Sequence, residues 1–503
     1  MPRILALGLA LTALLAGPAE AAQMRVVVVP YQDLSSLEGL SREGAVGLLV
    51  PDAGPETSFY RAVRALERGA VRNSLLGGDP EADVLIDKIW YLPHLRLDGP
   101  KIVLALPATG TQPNDRRYPI AVLAPGYRGL LTSDSTRIPG LVSIVDVAPT
   151  ALGREGKLGS IPDDDPAATL MELDRRINEH RDAKTPVLLI SLALIVALAL
   201  FRRTAVLAAF AAILLANVAL GITGWTNPWI DVLVVLLFAA ASLPFGRLPL
   251  VAEGFLLAGV LTAYLLAMGI DERWVALSPL GPTQNARFYG LSNLLATLLL
   301  VPALAGAAIL GRAFGMWAFG AVAALALVTV GGSQFGADGG GVLVLLVGYA
   351  VFVLVQYGLT RRTLLAAAAV IAVLAVALIA GGESHVTDAL GDGPAGLAED
   401  FWRRLRLSWL RATSSWGVGL LVAGGVIALA VLFRRERRPL LLAYLVAIAV
   451  SLVVNDSPND VVIAGLAGYL VLSTAPGVAR PAAEPARPVA RESRAQSAPA
   501  ATP

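Results

Sequence analysis

The residues of this chain best placed to do chemistry are polar groups standing where long apolar runs begin. The segment 284–293 reads Gln-Asn-Ala-Arg-Phe-Tyr-Gly-Leu-Ser-Asn, precedes one such run and carries Arg287 and Asn293. The segment 333–341 places Asp338 ahead of Gly339-Gly340-Gly341 before another run, and Asn455, Asp456, Asn459 and Asp460 precede the last. A carboxylate or amide at the mouth of a membrane helix is costly unless it is paired or lines a wet cavity. These residues therefore read as the wall of a binding pocket, with Arg287 a natural partner for Asp338 or for a substrate phosphate. Asn, Asp and Ser are also favoured helix N-caps, so a purely structural role stands beside the binding role.

Other candidates lie elsewhere. Within 399–411, Phe401, Trp402, Leu405 and Trp409 form an apolar stripe, with Arg403, Arg404 and Arg411 away from it. That is the pattern of a helix lying among lipid headgroups, where arginines either grip phosphate or snorkel. His385 beside Asp388 is a candidate general base. With no cysteine there is no disulfide, thiolate zinc site or catalytic thiol. Asp231 and Glu253 both fall near the ends of apolar runs, so no ionisable group is expected near a bilayer midplane, which weighs against an ion-coupled transporter.

The elements that must position these groups are mostly membrane helices. Of 503 residues, 56% are hydrophobic and 16% charged, the mean hydropathy is +0.66, and the net charge of +2 suggests no nucleic-acid partner. Residues 1–22 have the three parts of a secretory signal peptide: Arg3, an apolar core, and Ala19-Glu20-Ala21-Ala22. Cleavage near Ala21 or Ala22 is expected, the alternative being an uncleaved anchor. Residues 23–184 read as an extracytoplasmic α/β domain, with strands at 25–29, 45–50, 101–106, 120–124 and 141–145 and helices at 34–43, 58–68 and 169–182. Runs such as Val26-Val27-Val28-Val29 suit a mixed or parallel sheet covered on both faces.

Residues 185–475 predict an all-α bundle of about eleven spans, near 186–201, 204–222, 228–245, 249–268, 288–311, 314–331, 337–357, 363–381, 416–433, 439–454 and 460–474. Alternate breaks carry Arg202-Arg203, Arg247, Arg312, Arg361-Arg362 and the cluster at 434–438, which assigns them to the cytoplasmic side. The Pro-, Ala- and Arg-rich stretch 476–503 is then a disordered cytoplasmic tail.

One segment resembles a known family. The stretch 129–152, with Asp146-Val147-Ala148-Pro149-Thr150-Ala151-Leu152 at its core, looks like the closing segment of the alkaline-phosphatase-like superfamily, which includes sulfatases and phosphoglycerate mutases. The resemblance covers about 25–153 and implies an alkaline-phosphatase-like sheet with two metals held by Asp and His around a Ser, Thr or Cys nucleophile. On that resemblance Thr57 or Ser58 takes the nucleophile position. Pro30 stands where the family has an Asp after the first strand, and Ala124-Pro125-Gly126 replaces the usual Asp-His-Gly. His94 is the one histidine well inside the domain, while His180 lies beyond the resemblance. A degenerate, non-hydrolytic domain with no metal is therefore expected, a divalent metal entering only if the domain is an active phosphatase. The membrane half resembles uncharacterised bacterial multi-span proteins joined to such a domain.

These readings converge on a multi-pass protein of a bacterial inner membrane. It is expected to bind or process an anionic membrane lipid or lipid-linked glycan precursor at the outer face, with envelope-assembly proteins as further partners. A membrane-anchored metal-dependent phosphatase or sulfatase is the first alternative, a transporter or channel the second.

Overall fold

The computed structural model describes residues 24–29, 33–52, 54, 56–68, 86–88, 99–153, 158–225, 227–282, 288–358, 360–361 and 393–478. The stretch expected to be a signal peptide, His94, Arg287, His385, the span expected at 363–381 and the residues beyond Val478 lie outside them.

A mixed sheet forms the head of the molecule. Its strands are β1 (Arg25–Val29), β2 (Ala45–Val50), β4 (Ile86–Lys88), β5 (Lys101–Ala105), β7 (Tyr118–Leu123), β8 (Gly129–Ser133), β9 (Leu141–Ser143) and β10 (Leu158–Ile161), while β3 (Glu56–Thr57) and β6 (Gln112–Pro113) form a separate ribbon. The order is β10-β8-β2-β7-β5-β1-β4, with β9 also on β2. β7 runs antiparallel to both β2 and β5, and β1 pairs parallel with β4 and β5. The apolar strands fall where the sequence puts them. The expectation missed β4, β8, β10 and the ribbon, because their short runs are broken by Gly, Ser or charged residues and gain strand character from their neighbours.

Both sheet faces are covered, which is why central strands are apolar on alternate and intervening positions alike. One face packs against α2 (Phe59–Arg68) and α3 (Val147–Ala151), burying Val26, Leu49, Ile102 and Leu104. The other packs against α1 (Leu37–Ser41) and the first turns of α4 (Pro166–Phe201), and Ala276, Leu277 and Phe288 of the membrane half join that same core. The head is thus seated on the bundle through shared apolar burial.

α4 links the two halves. Asp165 caps it by accepting from the Ala168 backbone N–H, Pro166 occupies its first turn, and at 36 residues it is about 54 Å long. The sequence suggests a solvated helix followed by a separate span beginning at Pro186. The structure instead carries one helix through Pro186, because the turns on either side are held by packing, Ile177 in the head and Val187 and Ile195 in the bundle.

The remaining helices are α5 (Val206–Thr223), α6 (Pro228–Ser242), α7 (Leu250–Ile270), α8 (Arg273–Ala276), α9 (Asn293–Phe314), α10 (Met316–Gly331), α11 (Gly339–Tyr357), α12 (Gly393–Ala412), α13 (Trp416–Arg435), α14 (Pro439–Val454) and α15 (Pro458–Thr474). Among the described residues seven helical segments are long and apolar enough to cross a membrane, those of α4, α5, α6, α7, α9, α11 and α13, while α10 and α14 are shorter apolar helices. This is an integral membrane architecture. α9 is the central post, buried from Leu294 to Gly311, and α13 is the most peripheral, burying only Gly425 and Leu429. The turns around Arg203 and Arg247 pack together, and Arg312 reaches the Gly477 carbonyl, so these arginines share the end of the bundle remote from the sheet.

Candidate functional site

The polar residues singled out above assemble at the head-side end of the bundle. At the start of α9, the Ser292 hydroxyl accepts from the Leu295 N–H at 3.1 Å and donates to the Leu280 carbonyl at 2.8 Å. This fixes the first turn, and from it Asn293 Nδ2 donates to Asp456 Oδ1 at 2.7 Å. The other oxygen of Asp456 lies 2.9 Å from an Arg411 guanidinium nitrogen, which also donates to the Asp456 carbonyl and to Ser457 Oγ, both at 3.0 Å. One helical turn away, Ser408 Oγ donates to the Asn455 carbonyl at 2.5 Å. α12 is thereby clasped onto the α14–α15 turn.

Asp338 stands beside this clasp. It is the N-cap of α11: Oδ1 accepts from the Gly341 N–H at 3.0 Å, while Oδ2, on a residue only 5% exposed, has no hydrogen-bond partner. Asn455 is equally buried and spends its Nδ2 on Ser451 Oγ at 2.8 Å, which leaves its side-chain oxygen Oδ1 as an acceptor. A Cβ placed on Gly340 would lie 2.9 Å from Asn455 Oδ1 and 3.4 Å from Asp338 Oδ1. Glycine at that position keeps open the small space where the two acceptors meet. A second ion pair, Lys184 of α4 with Asp460 of α15 at 3.6 Å, closes the polar layer toward α4.

The two loops that carry the motifs are stitched together. The Leu291 N–H donates to the Gly336 carbonyl at 3.0 Å, and Gly290 has a φ of +70° with that carbonyl 2.2 Å from where a Cβ would sit. Only glycine satisfies both the left-handed backbone and the close approach. The head reaches the same loops: Arg137 donates to the Ser333 carbonyl at 2.7 Å, pairs with Glu272 at 3.5 Å and lies 4.2 Å over the Tyr289 ring. Burial pushes the Glu272 carboxyl above its ordinary value despite Arg137, which acts the other way.

The structure thus brings Asn293, Asp338, Asn455 and Asp456 together. Arg403 is exposed and Arg404 half-buried, about two turns up α12 from the clasp. Phe401, Trp402 and Trp409 are exposed, while Leu407 and Ser408 face the bundle. The cation that the sequence reading left in the background, Arg411, is the one that reaches the carboxylates, and Lys184 was not singled out at all. Its only signal is the spacing of an isolated lysine from the first span.

The polar groups of the segment 129–152 bond to one another within the head. Asp146, pushed upward in pKa by burial, accepts from the hydroxyls of Ser133 and Ser135 and from the Ser135 N–H at 3.1 Å. Thr150 Oγ1 donates to the Asp146 carbonyl at 2.6 Å and accepts from the Leu158 N–H at 3.1 Å. These bonds pin β8, α3 and β10 together. Ser58 Oγ accepts from the Arg61 N–H at 3.3 Å, an N-cap of α2, and the Thr57 hydroxyl is fully buried without a partner. Among the described residues no three His, Asp or Glu side chains gather as a metal-ligand group.

A buried pair escaped the sequence reading. His180 of α4 and Asp231 of α6 are both 0% exposed, with Nδ1 3.5 Å from Oδ2, and none of their ring nitrogens or carboxylate oxygens has a hydrogen-bond partner.

No protein-family model, curated protein or solved structure matches this chain.

Proposed function

We propose that this protein binds, and presents for processing, an anionic lipid-linked glycan precursor or related lipid at the outer face of a bacterial inner membrane, with the head in the extracytoplasmic space. The observation that carries this reading is the clasp itself. Arg411, on a helix whose aromatic residues are exposed as at a lipid interface, pairs with Asp456, which also accepts from Asn293, in the same polar layer as Asp338, whose Oδ2 has no hydrogen-bond partner. Acceptors on Asp338, Asn455 and Asp456 suit the hydroxyls of a sugar or glycerol headgroup, and the arginines of α12, Arg411 with Arg403 and Arg404, suit a phosphate. Arg287, on the sequence reading, adds a further phosphate partner. The head, whose motif residues are spent on its own fold, then acts as a non-hydrolytic cover and a docking surface for envelope-assembly proteins, and no cofactor is required.

The test is binding of phosphatidylglycerol by the purified full chain in detergent, followed for Arg411→Ala and Asp338→Asn. Weakened binding in both, with membrane abundance unchanged, supports the reading; wild-type affinity in both sinks it. Bound divalent metal together with turnover of a phosphate ester would favour a metal-dependent phosphatase instead.

A further inference from the structure

Below the polar layer the bundle opens sideways. Leu192 of α4, Leu420, Leu421 and Gly424 of α13, and Val462 and Leu466 of α15 are among the residues lining a groove of about 360 Å³, a volume within the range of small-molecule sites. Every lining side chain is aliphatic or absent. We propose that this groove seats one hydrocarbon chain of the same lipid whose headgroup the Arg411–Asp456–Asn293 clasp holds; the inference rests on the function proposed above.

Position makes the first argument. Val462 follows Asp460 by two residues, and Asp460 pairs with Lys184. Leu192 lies two helical turns beyond Lys184, about 12 Å along α4. Leu420 begins the second turn of α13, whose N-cap Ser415 follows α12 after a short turn. The groove therefore starts directly beneath the ion pairs and runs down the same three helices that carry or adjoin them.

Shape makes the second. α13 touches the bundle at Gly425, where a Cβ would fall 2.0 Å from Val462 Cγ1, and again one turn deeper at Leu429. Its head-side half, from Trp416 to Gly424, buries no residue, and a Cβ on Gly424 would meet nothing within 4 Å. The helix is pinned in its deeper half and stands off above, which leaves a wedge open toward the clasp and, sideways, toward the bilayer.

Chemistry makes the third. Lipid chains are as apolar as leucine, so moving one from bilayer to groove gains little from the hydrophobic effect. The groove selects chain length and direction, while the charged clasp supplies affinity.

The test uses the full chain in detergent with two probes of identical headgroup, dioleoyl and dihexanoyl phosphatidylglycerol, and two variants. Gly424→Phe fills the groove from an open position. The long-chain probe is expected to bind wild type roughly tenfold more tightly than the short one. Gly424→Phe is expected to abolish that preference while binding the short probe normally, and Arg411→Ala to weaken both. An undiminished long-chain preference in Gly424→Phe overturns the groove proposal and leaves the clasp standing. Normal binding of both probes by Arg411→Ala overturns the headgroup reading, and with it the claim that one lipid spans both sites. A long-chain preference lost on filling the groove supports the groove in either case.

Discussion

Asn293 Nδ2 donates to Asp456 Oδ1 at 2.7 Å, joining residues 163 positions apart at the mouths of two neighbouring helices. Because Asp456 is also the partner of Arg411, this one carboxylate ties α9, α12 and the α14–α15 turn together. Losing the amide leaves a charge-assisted acceptor to water, since Asp456 is one-third exposed. Asn293→Ala is therefore expected to cost about 1 kcal/mol, below the value for a buried charged bond. In a double-mutant cycle with Asp456→Ala, measured by unfolding in mild detergent, the two losses should be clearly less than additive; strict additivity would mean that the bond contributes nothing.

Gly340→Ala should act on binding more than on folding. Its methyl would enter the space shared by Asp338 and Asn455, at a contact tight enough to displace one of them. A weaker affinity for phosphatidylglycerol is expected, with a melting temperature close to wild type. If affinity is untouched, the space over Gly340 has no part in recognition.

The His180–Asp231 pair offers an asymmetric test. Removing one member strands the other in a dry interior, so Asp231→Ala or His180→Ala is expected to cost about 3 kcal/mol or more. Replacing both together by leucine removes the polar groups along with their desolvation cost, and is expected to come near wild-type stability. Chemical unfolding of the three variants decides it, and a double variant as unstable as the singles would refute the account.

Glu436, in the turn between α13 and α14, shows how pH enters. Arg438 donates to its carboxylate from Nε and Nη2 at 2.9 and 2.8 Å, and Tyr469 Oη at 2.8 Å, holding its pKa down to about 2 from an ordinary 4.5. A carboxyl depressed by folding stabilises fully above its unfolded value and loses that contribution as pH falls toward the folded one. The stability gap between wild type and Glu436→Gln should thus be constant above about pH 5 and shrink between roughly pH 4.5 and pH 2. A gap that widens on acidification contradicts the assignment.

The sequence by itself determined what depends on local pattern. Runs such as Val26–Val29 and Ala45–Val50 declared buried strands, because a strand covered on both faces needs apolar residues at every position. Apolar length declared the spans, because each must satisfy its own backbone within lipid. The placing of Asn293, Asp338, Asn455 and Asp456 ahead of such runs marked one end of the bundle as polar. Tertiary structure alone decided the partners. That Arg411 closes on Asp456, that Lys184 meets Asp460, that His180 faces Asp231 and that Gly290 abuts Gly336 depend on how helices cross, which no local period records. The same holds for Asp146, whose partners Ser133 and Ser135 come from a neighbouring strand and turn that no local pattern joins to it. Periodicity fixes which face of an element is buried; only packing fixes what it is buried against.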